Sequence, residues 1–224
     1  MRLMYWILGG AALLLLTKKA TPAITKFIRG EGIGDPTPYL SLITTAAKRH
    51  PELANRVNVL LGLLDQESDH FAPDVVNGRR RSPTGALGIG QFTKIAGDEV
   101  RRIMTMPAWR SRYDNAPAVG NMLKVFEKES HAWKPEFAIE AAALFLSFLI
   151  NKWNGNVEAA LTDYNAGGVA ARIVSTVGTH AGAKQQLIAL PDNQESQSAT
   201  YSPSVLAKAT VFREQGFGRV VRSL

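Results

Sequence analysis

The stretch AIEAAALFLSFLINKW, residues 138–153, constrains the fold more than any other part of the sequence. It is apolar on nearly every side, and a helix that is hydrophobic all round is normally buried inside a protein. Elsewhere in the chain, apolar residues recur at helical rather than at strand spacing. The sequence therefore predicts a mainly α-helical domain with one central buried helix.

Periodicity and breaker residues locate further helices along the chain. Helices are predicted from residue 41 and at 51–68, 95–104, 116–131, 136–153, 157–165, 169–177 and 202–214. Residues 71–93 contain Pro, Asn-Gly and several further glycines, which favour a long structured loop with room for a short hairpin. Residues 178–199 are polar and mixed, and they are predicted to form a loop with a short helix.

The first segment, residues 1–20, is an apolar run between basic residues. Leu3 to Leu16 would rise about 21 Å as a helix, which is short of the ~30 Å hydrocarbon core of a bilayer. This length favours a signal peptide or an interfacial anchor over a full span, and a buried core helix is the third interpretation. Residues 21–39, rich in Gly and Pro near their end, are predicted to link this segment to a domain at 40–224.

Composition excludes several classes of protein. The chain of 224 residues has no cysteine, so it has neither a disulfide framework nor thiolate chemistry. Its four histidines are scattered without the i, i+4 spacing of a helical zinc site, and no metal is expected. The net charge of +7 favours anionic partners, although a solvated surface is the simpler interpretation. No nucleic-acid signature accompanies that charge, and no nucleic-acid partner is expected.

Glu67 stands near the end of the apolar run VNVLLGLLDQES. The core face of this predicted helix follows the i, i+3, i+4, i+7 pattern, and Glu67 continues the stripe formed by Val57, Leu60, Leu61 and Leu64. Partial burial raises the pKa of a carboxyl group, and a carboxyl that keeps its proton near neutral pH can act as a general acid. The alternative, equally compatible with this helix alone, is a solvated side chain at a frayed helix end.

The segment SPTGALGIGQF, residues 82–92, gathers glycines around one polar side chain, Gln91. Glycines at this density let a backbone approach a ligand closely or adopt positive φ angles. Gly85 and Gly88 are therefore candidate supporting residues of a binding site.

The segment ALTDYNAGG, residues 160–168, ends a predicted helix with Tyr164 and Asn165. A phenol and an amide at a helix end can be capping groups. They are equally suited to orienting a carboxyl group and a sugar amide through hydrogen bonds.

In their order and spacing, three segments resemble the three signature motifs of the soluble lytic transglycosylase-like family, whose members share the lysozyme-type fold. The segments are ES at 67–68, SPTGALGIGQF at 82–92 and NGNVEAALTDYNAGG at 154–168. The resemblance covers residues 40–174. A later stretch, QSATYSPSVL with Tyr201, resembles the start of the family's C-terminal tyrosine-containing helix.

The resemblance implies cleavage, without a cofactor, of the β-1,4 bond between N-acetylmuramic acid and N-acetylglucosamine in peptidoglycan. The family's catalytic Glu falls on Glu67, which would protonate the glycosidic oxygen. It would then take the proton of the muramic acid 6-hydroxyl, and a 1,6-anhydro end would result. The family's substrate contacts fall on Ser68 and Gln91. Its Tyr-Asn pair falls on Tyr164 and Asn165, and this Tyr is expected to hydrogen-bond the catalytic carboxyl.

Two features depart from the family pattern. Gly90 stands where the family usually has a bulky residue, often Met, so the floor of the cleft is expected to differ. Residues 69–81 form a longer connection than usual and end in three arginines. These arginines either meet anionic wall polymer or belong to a solvated loop.

Two other functions remain open on the same residues. A hydrolytic muramidase needs a second carboxylate, about 5–5.5 Å or 6.5–9.5 Å from the first, and Asp74 is the plausible partner of Glu67. A membrane-tethered peptidoglycan-binding protein without activity is the other alternative, although the presence of Glu67 argues against it.

Two biological settings fit an enzyme of this kind. One is a bacterial envelope, for remodelling or with secretion-apparatus proteins. The other is a phage virion, among virion proteins, during genome entry. The domain would then be membrane-associated and face the periplasm or cell wall, or lie within a virion.

Overall fold

The computed structural model describes residues 33–190 and 192–217, and within 192–199 the backbone only. The described residues from Gly34 onward belong to one compact unit. The predicted membrane segment at 1–20 and most of the predicted linker at 21–39 lie outside the described residues. Among the described helices, none is both long enough and apolar enough to cross a membrane.

Twelve α-helices follow one another along the described residues: Leu40–Lys48 (α1), Val57–Glu67 (α2), Pro73–Val76 (α3), Lys94–Thr105 (α4), Pro107–Arg110 (α5), Pro117–Lys124 (α6), Lys128–His131 (α7), Pro135–Lys152 (α8), Val157–Ala166 (α9), Gly168–Val177 (α10), His180–Ile188 (α11) and Asp192–Glu214 (α12). Single 3₁₀ turns occur at Thr37–Tyr39 and Ser111–Tyr113. The β-type backbone pairing found among the described residues is one antiparallel bridge between Leu87 and Phe92. The predicted mainly helical fold is confirmed.

Helix α8 is the central helix, as predicted. It begins with Pro135, whose fixed φ and missing N–H suit the first helical position, and its Ala- and Leu-rich interior favours a helix. It packs against α1, α2, α4, α6 and α9. The chain leaves it through Asn154 and Gly155, both at positive φ, and turns directly into α9. The all-round apolar stretch therefore forms the support on which α2 and α9 are held.

Three predicted helices differ from the observed ones. The helix predicted at 202–214 begins already at Asp192, within the segment predicted to be mostly loop. The other two differ for tertiary reasons. The helix predicted at 51–68 begins only at Val57, because residues 51–55 form turns that bury Leu53. The helix predicted at 116–131 is divided into α6 and α7. Between them Phe126 enters the core and packs edge-on against Phe92, with ring centroids 5.0 Å apart.

The chain reverses abruptly after α2. Asp69, His70 and Phe71 have φ angles of 52°, 65° and 57°, a left-handed run that side chains other than glycine rarely adopt. Ser68 closes the reversal, because its Oγ donates to the carbonyl oxygen of Leu64 (2.6 Å) and accepts from the amide of Phe71 (2.9 Å). This turn fixes where α2 ends, and its last residue is Glu67.

Candidate active site

Glu67 is the last residue of α2 and is half-buried. Leu63 and Leu64, in the same helical turn, are fully buried, so Glu67 stands next to the apolar core. The phenol of Tyr201, on α12, donates a hydrogen bond to Glu67 Oε1. The position predicted for a general acid is thus a carboxyl group held at the edge of the core.

The electrostatics of this position favour the protonated carboxyl. Burial raises the pKa of Glu67 from 4.5 to about 7, while the hydrogen bond from Tyr201 and the charge of Lys208 act in the opposite direction. Burial prevails because loss of hydration penalises the carboxylate more than one phenol and one cation stabilise it. At neutral pH both protonation states of Glu67 are therefore well populated, as acid-base catalysis requires.

Tyr164 stands near Glu67 but makes its hydrogen bond elsewhere. Its phenol donates to the carbonyl oxygen of Gly90 (3.1 Å), and its ring packs on Phe145. Burial and the negative charge of Glu67 raise the pKa of Tyr164 well above its usual range, so the phenol stays neutral. The hydrogen bond expected from Tyr164 to the catalytic carboxyl is made instead by Tyr201.

Asn165 follows Tyr164 on α9 and brings a free donor. Its Nδ2 atom is buried and has no hydrogen-bond partner among the described residues. Helix α9 is fastened to the end of α8 by Asp163, whose Oδ2 accepts from Lys152 Nζ (2.7 Å) and Trp153 Nε1 (2.8 Å). An amide held by a rigid helix with an unused N–H is suited to binding a carbonyl oxygen of a ligand.

The glycine-rich loop is pressed against α7. Gly88 has a φ of 76°, and a side chain there would overlap the carbonyl oxygen of Ala132. Gln91, also at positive φ (46°), is half-buried and folds back so that its Nε2 donates to the carbonyl oxygen of Gly88 (2.9 Å). Lys128 Nζ donates to the carbonyl oxygen of Gly85 (3.0 Å). The loop is therefore tightly held, and it leads from α7 to Gly90 and the Tyr164 phenol.

The space left by Gly90 is filled by Phe92. A Cβ at Gly90 would lie 2.6 Å from Cε2 of Phe92, and Phe92 is fully buried. The phenyl ring thus occupies the place next to Gly90. This gives a physical reason why the chain carries glycine where a bulky residue is usual in the family it resembles.

Ser68 does not lie where a substrate contact was predicted. Its side chain is 0% exposed, and its hydroxyl is engaged within the turn that ends α2. This placement argues against direct contact with a ligand. The serine next to Glu67 instead supports the backbone on which Glu67 stands.

The carboxylates nearest to Glu67 in the sequence are held in ion pairs. Asp69 and Asp74 both bind Arg80, each with a closest distance of 2.8 Å. Asp65 is fully buried and pairs with Lys208 (2.8 Å). Asp74, the candidate second carboxylate of a muramidase, therefore has a cation as its partner.

The arginine triplet at 79–81 is largely occupied within the protein. Arg80 bridges Asp69 and Asp74, and Arg81 makes a two-pronged contact with Glu129 at 3.1 and 2.8 Å. Two of the three arginines thus anchor this loop within the protein, Arg80 to the segment that follows α2 and Arg81 to α7. Within the described residues, no group of three or more His, Cys, Asp or Glu side chains is placed to hold a metal ion.

Sequence reasoning missed one charged residue near the acid, Lys208. It lies seven residues after Tyr201 on α12, and this spacing places both side chains on one face of a helix. The i, i+7 relation is therefore the signal in the sequence that could have identified it.

Comparison with protein families decides the assignment. The sequence model of the transglycosylase SLT domain matches residues 45–186. The chain belongs to this family. Its lysozyme-like helical domain and family membership support a peptidoglycan-cleaving function of the lytic transglycosylase type, with peptidoglycan as substrate. Neither the curated proteins nor the solved structures gave a match.

Proposed function

We propose that this SLT-domain protein cleaves the β-1,4 bond between N-acetylmuramic acid and N-acetylglucosamine and leaves a 1,6-anhydro end. The observation that carries the proposal is Glu67, a carboxyl group with a pKa raised to about 7, in contact with the Tyr201 phenol. Membership of the transglycosylase SLT domain family supports the same reaction class.

The reaction needs one group that gives and then receives a proton. Protonated Glu67 donates its proton to the glycosidic oxygen as the bond from that oxygen to C1 breaks. The carboxylate formed then accepts the proton of the C6 hydroxyl, whose oxygen forms the new bond to C1. Glu67 is protonated again at the end, and no water is consumed. A pKa near the working pH favours both steps, and an internal nucleophile held near C1 outcompetes solvent.

The neighbours of Glu67 have supporting roles in this proposal. Tyr201 orients the carboxyl group through its hydrogen bond. The unpaired amide of Asn165 is the donor that we assign to a substrate carbonyl, such as an N-acetyl group. Tyr164 holds the glycine-rich loop by bonding Gly90, and so fixes the loop that carries Gln91.

Digestion of purified peptidoglycan by the full-length protein tests the proposal, with products identified by mass spectrometry. The expected products are muropeptides one water molecule lighter than their hydrolysed counterparts, and Glu67→Gln should abolish them. Asp74→Asn is the matched carboxyl-to-amide control and should retain activity, since that carboxylate is paired with Arg80. Reducing-end products that disappear in Asp74→Asn would instead identify a two-carboxylate muramidase.

We further propose that residues 1–20 attach the domain to a membrane, so that it acts on the wall next to a bacterial membrane or from a phage virion. The apolar run flanked by Arg2 and Lys18 supports this tether. Flotation with lipid vesicles checks it: the full chain should float, and Leu14→Asp combined with Leu15→Asp should remain at the bottom. Equal flotation of both proteins would refute the tether.

A further inference from the structure

Helix α12 runs along α2 in the opposite direction. Near one end of the pair, the Asn58 amide donates to the carbonyl oxygen of Ala209 (3.2 Å). Near the other, the Ser204 hydroxyl bonds Gln66 Oε1 (2.8 Å). Between them the helices approach so closely that a Cβ at Gly62 would lie 2.5 Å from the carbonyl oxygen of Val205. The last described helix is thus built against the whole length of the helix that ends in Glu67.

An ion pair is enclosed in this contact. Lys208 Nζ lies 2.8 Å from Asp65 Oδ2, and the side chains are 13% and 0% exposed. Asp65 also accepts from the amide of Gly34 (2.6 Å) and lies 3.0 Å from Nδ1 of His70. The buried carboxylate therefore ties the start of the domain, the turn after α2 and the C-terminal helix to a single point.

This ion pair lies beside the acid rather than at a remote site. Asp65 precedes Glu67 by two residues on the same helix, and Lys208 shares one face of α12 with Tyr201, the residue that hydrogen-bonds Glu67. The titratable groups that act on Glu67 are Tyr201 and Lys208 from α12, and Tyr164 from α9 lies close enough to be affected by its charge. Asp65, paired with Lys208, is also in contact with His70. Of the groups that act on Glu67, Lys208 is the cation.

We propose that Lys208 is a positioning residue for Glu67. Through its ion pair with Asp65 it locks the last turn of α2 against α12, and it holds a positive charge near the Glu67 carboxyl group. This inference deepens the proposed function and rests on it for its catalytic meaning. It also extends the catalytic unit beyond the residues matched by the family, which end at 186.

Two substitutions in the pair should move the titration of Glu67 in opposite directions. Lys208→Met removes the positive charge that stabilises the Glu67 carboxylate. The titration midpoint of Glu67 should rise by about one pH unit, the lower end of the change that a neighbouring opposite charge makes in a carboxyl pKa. Asp65→Asn removes the negative charge and leaves Lys208, so the midpoint should fall.

Matched variants separate charge from folding. The double substitution Asp65→Asn with Lys208→Met leaves no orphaned charge, so it should fold and return the midpoint toward the wild-type value. Lys208→Arg keeps the charge and should keep the midpoint. Lys94→Met breaks another Lys–Asp pair with the same 2.8 Å separation, in an exposed position on α4, and should change nothing.

Two readouts are needed for a decision. The first is the ¹³C chemical shift of the Glu67 carboxyl against pH, assigned by its absence in Glu67→Gln. The second is the alkaline limb of kcat/KM for release of anhydro-muropeptides. Opposite displacements in the two single variants support the proposal. Midpoints that stay in place, or that move in the same direction while thermal stability falls, show a purely structural pair and overturn it. Failure of the wild type to release anhydro products refutes the proposed reaction instead, and the carboxyl titration still decides the role of Lys208.

Discussion

Removal of the Tyr201 hydroxyl is the most direct perturbation of the acid. In Tyr201→Phe the ring and its packing remain, and Glu67 Oε1 loses its phenol donor. Because this hydrogen bond stabilises the carboxylate, its removal should raise the pKa of Glu67 above its value of about 7.

The expected size follows from the energy of one hydrogen bond. A hydrogen bond to a charged group contributes about 1.5–3 kcal/mol, and one pKa unit corresponds to about 1.4 kcal/mol. These values bracket a rise of about one to two units. Glu67 is only half-buried, so water can replace part of the lost bond, and we expect a rise of about one unit.

The assay is the pH dependence of kcat/KM for anhydro-muropeptide release. A general acid must be protonated, so activity declines above its pKa, and the alkaline midpoint should move from about 7 in the wild type to about 8 in Tyr201→Phe. Tyr113→Phe is the control, since that buried phenol bonds His50 at 3.1 Å and lies in another part of the core. An unchanged or lower midpoint in Tyr201→Phe would refute the assignment of Glu67 and Tyr201 as a coupled pair.

Three further outcomes are expected. Since the folded protein holds the Glu67 proton more tightly than the unfolded chain, wild-type stability should fall as pH rises from 4.5 to about 7. Denaturant titration of Glu67→Gln should thus show a gain of about 1–3 kcal/mol that develops over that window, and a gain independent of pH would contradict the reasoning. The Cβ of Gly88→Ala would overlap Ala132, so this substitution should lower Tm by about 6 °C or more. Gly155→Ala is the control: Gly155 has a φ of 84° but open space around it, and Tm should fall by about 2–4 °C. Similar losses of Tm in the two variants would refute the close approach of Gly88 to Ala132. Burial lowers the pKa of His50 from 6.5 to about 3, so the wild type should lose stability as the pH falls through this range. His50→Gln should lose less stability over the same range in acid denaturation. Equal dependence of stability on pH in the two proteins would show that His50 does not contribute.

The sequence was most informative where local pattern and tertiary structure agree. The all-round apolar stretch at 138–153 predicted the central helix because nothing but burial accommodates such a surface. The stripe leading to Glu67 gave a partly buried carboxyl as one of two equally compatible interpretations, because a helix carries its side chains at a fixed angular spacing. Both inferences rest on one element at a time, which is the scale at which sequence periodicity is reliable.

Features that depend on contacts between distant segments were not predictable in the same way. Phe126 lies at the interruption of a helical pattern, where it is buried against Phe92 from the glycine-rich loop. Ser68 was assigned to the substrate through the family resemblance, whereas in the structure its hydroxyl bonds the backbone of Leu64 and of Phe71, within the turn after α2. The ion pair of Lys208 with Asp65 was not predictable from the sequence, because it depends on the packing of α12 along α2.

The antiparallel contact of α12 with α2 has a consequence for how the protein is made. Glu67 leaves the ribosome long before Tyr201 and Lys208, since synthesis proceeds from the N-terminus. A nascent chain that has completed the residues matched by the family model, 45–186, still lacks the Tyr201 phenol and the Lys208 cation that act on the acid. The surroundings of the Glu67 acid are therefore completed only once α12 has been synthesised, and premature termination before α12 yields a chain without the phenol that hydrogen-bonds Glu67.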